Sequence, residues 1–138
     1  AYLNGLLHEI GKPVCLQTVA ELARRAATPL IESEFDRLVA EFHVEVGAHL
    51  ATAWKLPPAV AQVIRGWHGW ADAADGRDGC AVVYLAHHLA SGMLENYGTL
   101  VADSLAADPV AEYLGLGLGE VLQLCAQSEH VQAVVDHY

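Results

Sequence analysis

Nowhere in the 138 residues do four or more β-branched residues alternate with polar ones, so no segment offers a half-buried strand. Helical spacing takes its place. Leu3, Leu6, Leu7 and Ile10 fall at i, i+3, i+4 and i+7, one helix face that Gly11-Lys12-Pro13 brings to a stop. Val14 to Ala27, rich in Ala and Leu, reads as a second helix ended at Thr28-Pro29. Two further stripes follow, Phe35, Leu38, Val39, Phe42 and then Val46, Leu50, Ala53, Trp54. His43 starts the second of these, and Leu56-Pro57-Pro58 closes it. From Pro58 another helix sets Val60, Val63, Ile64 and Trp67 on one face.

Residues Trp70 to Gly79 (WADAADGRDG) are acidic and Gly-containing, the signature of a loop. Cys80 to Leu94 is apolar on nearly every side, as a buried central helix is. Leu114 to Gly119 (LGLGLG) separates it from a last amphipathic pair, roughly Glu120 to Tyr138. The three glycines match a nucleotide loop only superficially, because no strand precedes them; helix termination is the better account. The expected fold is all-α: a compact bundle of about seven helices over residues 1–138, without internal repeat or second domain.

Composition narrows the function. A net charge of −10 from seven Lys+Arg against 17 Asp+Glu argues against nucleic acid and anionic lipid, which are held mainly by basic side chains. No uncharged apolar run approaches the roughly 18 residues of a membrane span; Cys80 to Leu94 is the nearest and carries two histidines. Cys15, Cys80 and Cys125 are odd in number and far apart, which fits buried thiols in a reducing cytoplasm rather than a disulfide or zinc framework. With 54% hydrophobic and only 17% charged residues, part of the apolar surface is expected to be hidden against another chain, through self-association or a protein partner, or against a missing segment.

Eight histidines are the compositional anomaly. His8-Glu9 lies near the end of the first helix, where both side chains can reach one metal ion. A zincin helix would need His at position 12, and Lys12 stands there. His43 precedes Val44-Glu45-Val46-Gly47, His68 follows Trp67, and His87-His88 sits in mid-helix. His87 shares a face with Val83, Ala90 and Leu94 and should be buried, whereas His88, with Tyr84, Ser91 and Glu95, should be wetter. His49, His130 and His137 match no pattern. Trp54 and Trp67 fall on core-facing positions, and Trp70, opening the acidic loop, is the tryptophan to watch for partner contact.

These segments resemble the C-terminal half of an HDOD domain, the HD-related output domain of bacterial signalling proteins. The relatives show L-L-H-D-I-G-K, then H-x-x-x-G-A-x-L-x-x-x-W-x-L-P, then A-I-x-x-H-H and L-A-D-A-L. Here the matching stretches are Leu6 to Lys12, His43 to Pro57 (HVEVGAHLATAWKLP), Val63 to His68 (VIRGWH) and Leu85 to Leu89 (LAHHL). The tail, Tyr113-Leu114-Gly115-Leu116 before Glu120-Val121-Leu122, is similar to the family's final turn and helix. The second stretch is the most specific, since His43, Gly47, Trp54, Leu56 and Pro57 all keep the spacing. The resemblance implies a helical HD-like fold and a helical half, preceding the His-Asp motif, that these 138 residues lack.

The departures bear on chemistry. Catalytic HD phosphohydrolases hold metal through an upstream His, a His-Asp pair and a distant Asp, and the metal activates water for attack on phosphorus. Here the pair is His8-Glu9, the distant Asp aligns with His87, the first His of the H-H pair aligns with Trp67, and no His precedes His8. An imidazole in place of that Asp suits a transition metal better than Mg²⁺. The Gly-Tyr-Pro signature of cyclic-di-GMP phosphodiesterases is absent after His68. The resemblance therefore implies a regulatory signal-transduction domain without phosphohydrolase activity. His8, Glu9, His43, His68 and His87 would be a remnant metal site, with no catalytic residue and no cofactor beyond an optional divalent ion. Two alternatives stay open: a divalent-metal phosphohydrolase acting on a nucleotide or phosphoester, and a sensor that uses the old pocket for a small ligand.

Overall fold

The computed structural model describes residues 2–27, 31–94 and 98–135, excepting the side chains of 93, 94, 98–100 and 128–135. Among them every regular element is helical, and no helix is long and apolar enough to cross a membrane. In chain order the helices are α1 (Tyr2–Leu7), α2 (Gly11–Ala26), α3 (Glu32–Ala53), α4 (Pro58–Gly66), α5 (Arg77–Leu94), α6 (Gly98–Ala106), α7 (Pro109–Tyr113) and α8 (Leu118–Val135). A 3₁₀ segment, Trp67–Asp72, extends α4. The all-α expectation holds. The stop expected at Thr28-Pro29 lies outside the described residues. The chain forms two compact units, Ala1–Cys80 and Ala81–Tyr138.

In the first unit the tightest feature is a helix crossing made possible by two glycines. A Cβ on Gly11 would lie 1.8 Å from the His43 carbonyl oxygen and 2.8 Å from the Gly47 nitrogen. A Cβ on Gly47 would lie 3.2 Å from both the Gly11 nitrogen and Ile64 Cγ2. The first turn of α2 thus rests backbone to backbone on the middle of α3. Ala48, Ala51, Val60 and Ile64 form the core beside this crossing, with Leu7, Ile10 and Leu56 packed on it. Full burial of Ile64 alone contributes about 2–3 kcal/mol.

His43 does not start a helix. It lies inside the continuous α3, which carries both apolar stripes through without a break. Gly47 is tolerated in mid-helix because Gly11 fills the space a side chain would take. Trp54 also departs from expectation, at 54% exposed. α3 ends there, Lys55 turns left-handed at φ 55°, and the Leu56 N–H closes on the Ala51 carbonyl at 2.9 Å. That turn delivers Leu56 to the core and leaves Trp54 outside. Pro58 then opens α4, whose Val60, Val63 and Ile64 are buried.

The stretch from Trp70 is less loop-like than expected. Trp70 is buried, and the Arg77 guanidinium lies 5.6 Å from its ring centroid. The tryptophan singled out for partner contact is therefore packed, and Trp54 is the exposed one. Gly66 approaches Cys80 so closely that a Cβ would fall 2.8 Å from its Sγ.

In the second unit α6 packs on both α7 and α8, and the buried residues include Ala102, Leu105, Val110, Ala111 and Val121. Asp108 caps α7 by accepting the Val110 N–H at 2.9 Å, and the same carboxylate accepts the Tyr84 hydroxyl at 3.2 Å. Gly115 (φ 69°) ends α7 while the Leu116 N–H reaches the Ala111 carbonyl at 2.8 Å. The Gly117 N–H donates to Glu120 as α8 begins. LGLGLG is a helix stop followed by a helix start.

Candidate functional site

His43 is the buried polar residue of the described core, 7% exposed. Burial demands partners for its ring. Nδ1 lies 3.0 Å from the carbonyls of Val39 and Ala40, one turn back on α3, so this nitrogen carries the proton. On the other side of the ring, His68 Nε2 stands 3.4 Å from His43 Nε2. The two rings are nearly perpendicular, at 86°. The two imidazoles thus stand within reach of one long hydrogen bond between their Nε2 atoms. His68 itself is exposed and lies 3.7 Å, centroid to centroid, from the Trp67 ring.

His8 and Glu9 occupy the turn between α1 and α2. His8 Nδ1 donates to the Gly5 carbonyl at 2.7 Å, and the ring meets the Trp67 edge at 5.0 Å. Trp67 therefore touches the imidazoles of both His8 and His68. The Glu9 carboxylate forms an ion pair with Lys12, three residues on. In this unit the structure brings His43 and His68 together and ties Glu9 to a lysine.

His87 belongs to the second unit, half-buried, with Nε2 3.5 Å from Ser91 Oγ. His88 is exposed, its ring 4.3 Å from that of Tyr84. The wetter member of the pair is the expected one, while His87 is less buried than its apolar stripe suggested. Burial, then the charge of Asp108 and its hydrogen bond, raise the Tyr84 pKa above 10.0. His49 is exposed, and the side chains of His130 and His137 lie outside those described.

Neither Cys15 nor Cys80 has the environment of a nucleophile. Cys15 and Cys80 are buried free thiols, and burial raises both pKa values above the ordinary 9.0. Two participants escaped the sequence reading. Lys12 neutralises Glu9, a partnership that the i, i+3 spacing could have signalled. The Gly5 carbonyl that engages His8 left no signal in side-chain identities.

A family model for the HDOD domain matches residues 1–69, half of the chain. The match takes in His8, Glu9, His43 and His68 and ends before His87. No curated protein and no solved structure matches the chain.

Proposed function

The chain belongs to the HDOD domain family, and from that premise we propose that it is a bacterial signal-transduction domain that acts by contact with partners. On this reading its ancestral metal centre survives as a hydrogen-bonded remnant and does not hydrolyse phosphoesters. One observation carries the reading: Glu9, the carboxylate of the candidate ligand set in this unit, is ion-paired with Lys12. His43 and His68 face each other across 3.4 Å, His8 Nδ1 serves the Gly5 carbonyl, and Glu9 is neutralised by Lys12. A hydrolytic centre for a hard divalent cation requires carboxylate charge aimed at the ion. Within this unit the Glu9 carboxylate has the Lys12 ammonium beside it, which offsets the charge it would bring to a hard cation.

The physical role left to these side chains is to hold α3, α4 and the 3₁₀ segment in register. The His43–His68 contact joins the middle of α3 to the start of the 3₁₀ segment that follows α4, and Trp67 lies against both His8 and His68. A signal that shifts one of these elements is felt by the others through packed contacts. A cytoplasmic setting accords with the free thiols of Cys15 and Cys80.

The test is elemental analysis of the purified chain, paired with turnover of bis-p-nitrophenyl phosphate before and after chelation. The expected result is substoichiometric metal and no chelator-sensitive turnover. Stoichiometric metal together with turnover lost on chelation would establish the rival reading, a divalent-metal phosphohydrolase acting on a nucleotide or phosphoester.

A further inference from the structure

Away from the histidines, α2 and α3 enclose an open apolar groove of about 460 Å³. Its walls include Cys15, Leu22 and Ala26 of α2 and Leu38, Phe42 and Val46 of α3. The α2 positions recur every three to four residues over eleven, a stripe about 16 Å long at 1.5 Å per residue. Such a stripe normally faces protein. Here Leu22 is 58% and Phe42 48% exposed, and the only residues of α2 that are buried are Gly11 and Cys15. Thr18 also lines the groove, but its hydroxyl is turned to the Val14 carbonyl at 2.7 Å and offers little to a polar ligand.

Charge identifies the occupant. Glu41 and Glu45 each precede a lining residue of α3 by one position and flank the groove; Glu34 stands one turn before Leu38. All three are exposed. On the α2 side the flanking charges Glu21 and Arg25 are paired with each other. Arg37 and a loose 3.8 Å contact from Arg65 to Glu45 leave the α3 flank acidic, on a chain of net charge −10. Two helices with an apolar furrow between them and a negative flank match a third helix that is apolar on one face and basic beside it.

We propose that the α2–α3 groove docks an amphipathic helix of about three turns, with apolar anchors at i, i+3 or i+4 and i+7 and Lys or Arg on its flanks. The anchors fill the furrow beside Leu22 and Phe42, and the basic residues meet Glu41 and Glu45. This deepens the interaction-domain reading by naming the partner's chemistry, and it rests on that reading for its role in signalling.

The experiment uses the full chain and a fluorescein-labelled 15-residue Leu/Lys amphipathic peptide, followed by anisotropy at 150 mM salt. Two comparators carry the same leucines with Glu flanks, or the same composition in scrambled order. The Leu/Lys helix should bind at least tenfold more tightly than either. Leu22→Glu and Phe42→Glu should each weaken binding tenfold or more, whereas Leu122→Glu, at an exposed leucine outside the groove, should leave it unchanged. The double variant Glu41→Lys/Glu45→Lys should shift preference toward the Glu-flanked peptide, and it keeps the test decisive if Phe42→Glu disturbs the circular dichroism spectrum. Equal binding of the scrambled peptide, or indifference to Leu22→Glu, overturns the proposal. So does a dimer in light scattering that Leu22→Glu dissolves, since the occupant would then be a second copy. None of these outcomes touches the metal and turnover assay, so failure here is distinct from failure of the interaction-domain reading.

Discussion

The two ends of the α2–α3 pair are built on opposite principles. At the base, Gly11 lies against His43 and Gly47 so closely that backbone touches backbone, and the residue identities there are dictated by distance. Toward the tip the same two helices are held apart by Leu22, Leu38 and Phe42 around an open furrow, where side chains remain partly in water. The base fixes a geometry, and that geometry is what brings the His43 ring to the reach of His68. The tip leaves apolar area unspent. One pair of helices thus carries a rigid site at one end and an unsatisfied surface at the other.

The sharpest way to break this contrast is Gly11→Ala. The added methyl would collide with the His43 carbonyl, a backbone atom that cannot swing aside, so the crossing must open. The expected loss is about 3 kcal/mol of unfolding free energy in urea titration, the upper part of the range for overpacking. Gly47→Ala is the internal control. Its contacts at 3.2 Å are relieved by small shifts, and alanine gains about 1 kcal/mol of helix propensity over glycine, so the net change should stay within about 1 kcal/mol. Equal losses at the two positions would mean that the crossing is not set by Gly11.

What the sequence disclosed follows the same division. Helix periodicity, the proline start at Pro58 and the stop at Gly115 are local, and all were legible. The motif spacing around His8, His43 and Gly47 was legible as a family pattern, and the HDOD match over residues 1–69 agrees with it. The fate of Trp54 was not, because it depends on a left-handed Lys55 that nothing about lysine announces. The continuity of α3 through His43 depended on Gly11 arriving from another helix to occupy the space at Gly47. Likewise the proton on His43 Nδ1 is set by two carbonyls of its own helix, and its Nε2 partner comes from 25 residues away. Ligand types are written in the motif; what those ligands bond to is written in the packing.

A smaller effect probes the place where base and tip meet. Cys15 lines the groove yet is only 4% exposed, and its thiol, like that of Cys80, is pushed above 9.0 by burial. A raised acid pKa means that the folded chain holds the proton more tightly than the unfolded one. The associated stability is complete below about pH 9 and declines as pH rises through the folded-state value. Urea midpoints at pH 7, 9 and 10 should therefore fall at the alkaline end, with a shallower fall in Cys15→Ala. A folded-state reaction of Cys15 with Ellman's reagent at pH 8 as fast as in urea would show the groove floor to be open to solvent.

The smallest effect compares two helix ends directly. α3 ends at the base with Lys55 at φ 55°, and α2 ends at the tip with Ala27 at φ 50°. Each is a left-handed residue carrying a Cβ, a strain of about 1 kcal/mol that glycine removes, offset in part by the greater freedom glycine has when unfolded. At Lys55 the turn is locked, since the Leu56 N–H bonds to the Ala51 carbonyl and Leu56 packs on the core. Lys55→Gly should therefore raise global stability by about 0.5 kcal/mol. At Ala27 the N–H is shared between the Ala23 carbonyl and a long, 3.4 Å, contact to that of Arg24, and Arg24, Arg25, Ala26 and Ala27 are all exposed. An end that opens without global unfolding returns little of its strain to the global free energy, so Ala27→Gly should gain less than half as much. Equal gains in paired urea titrations would show that the tip unfolds only with the base, and that the two ends form one cooperative unit.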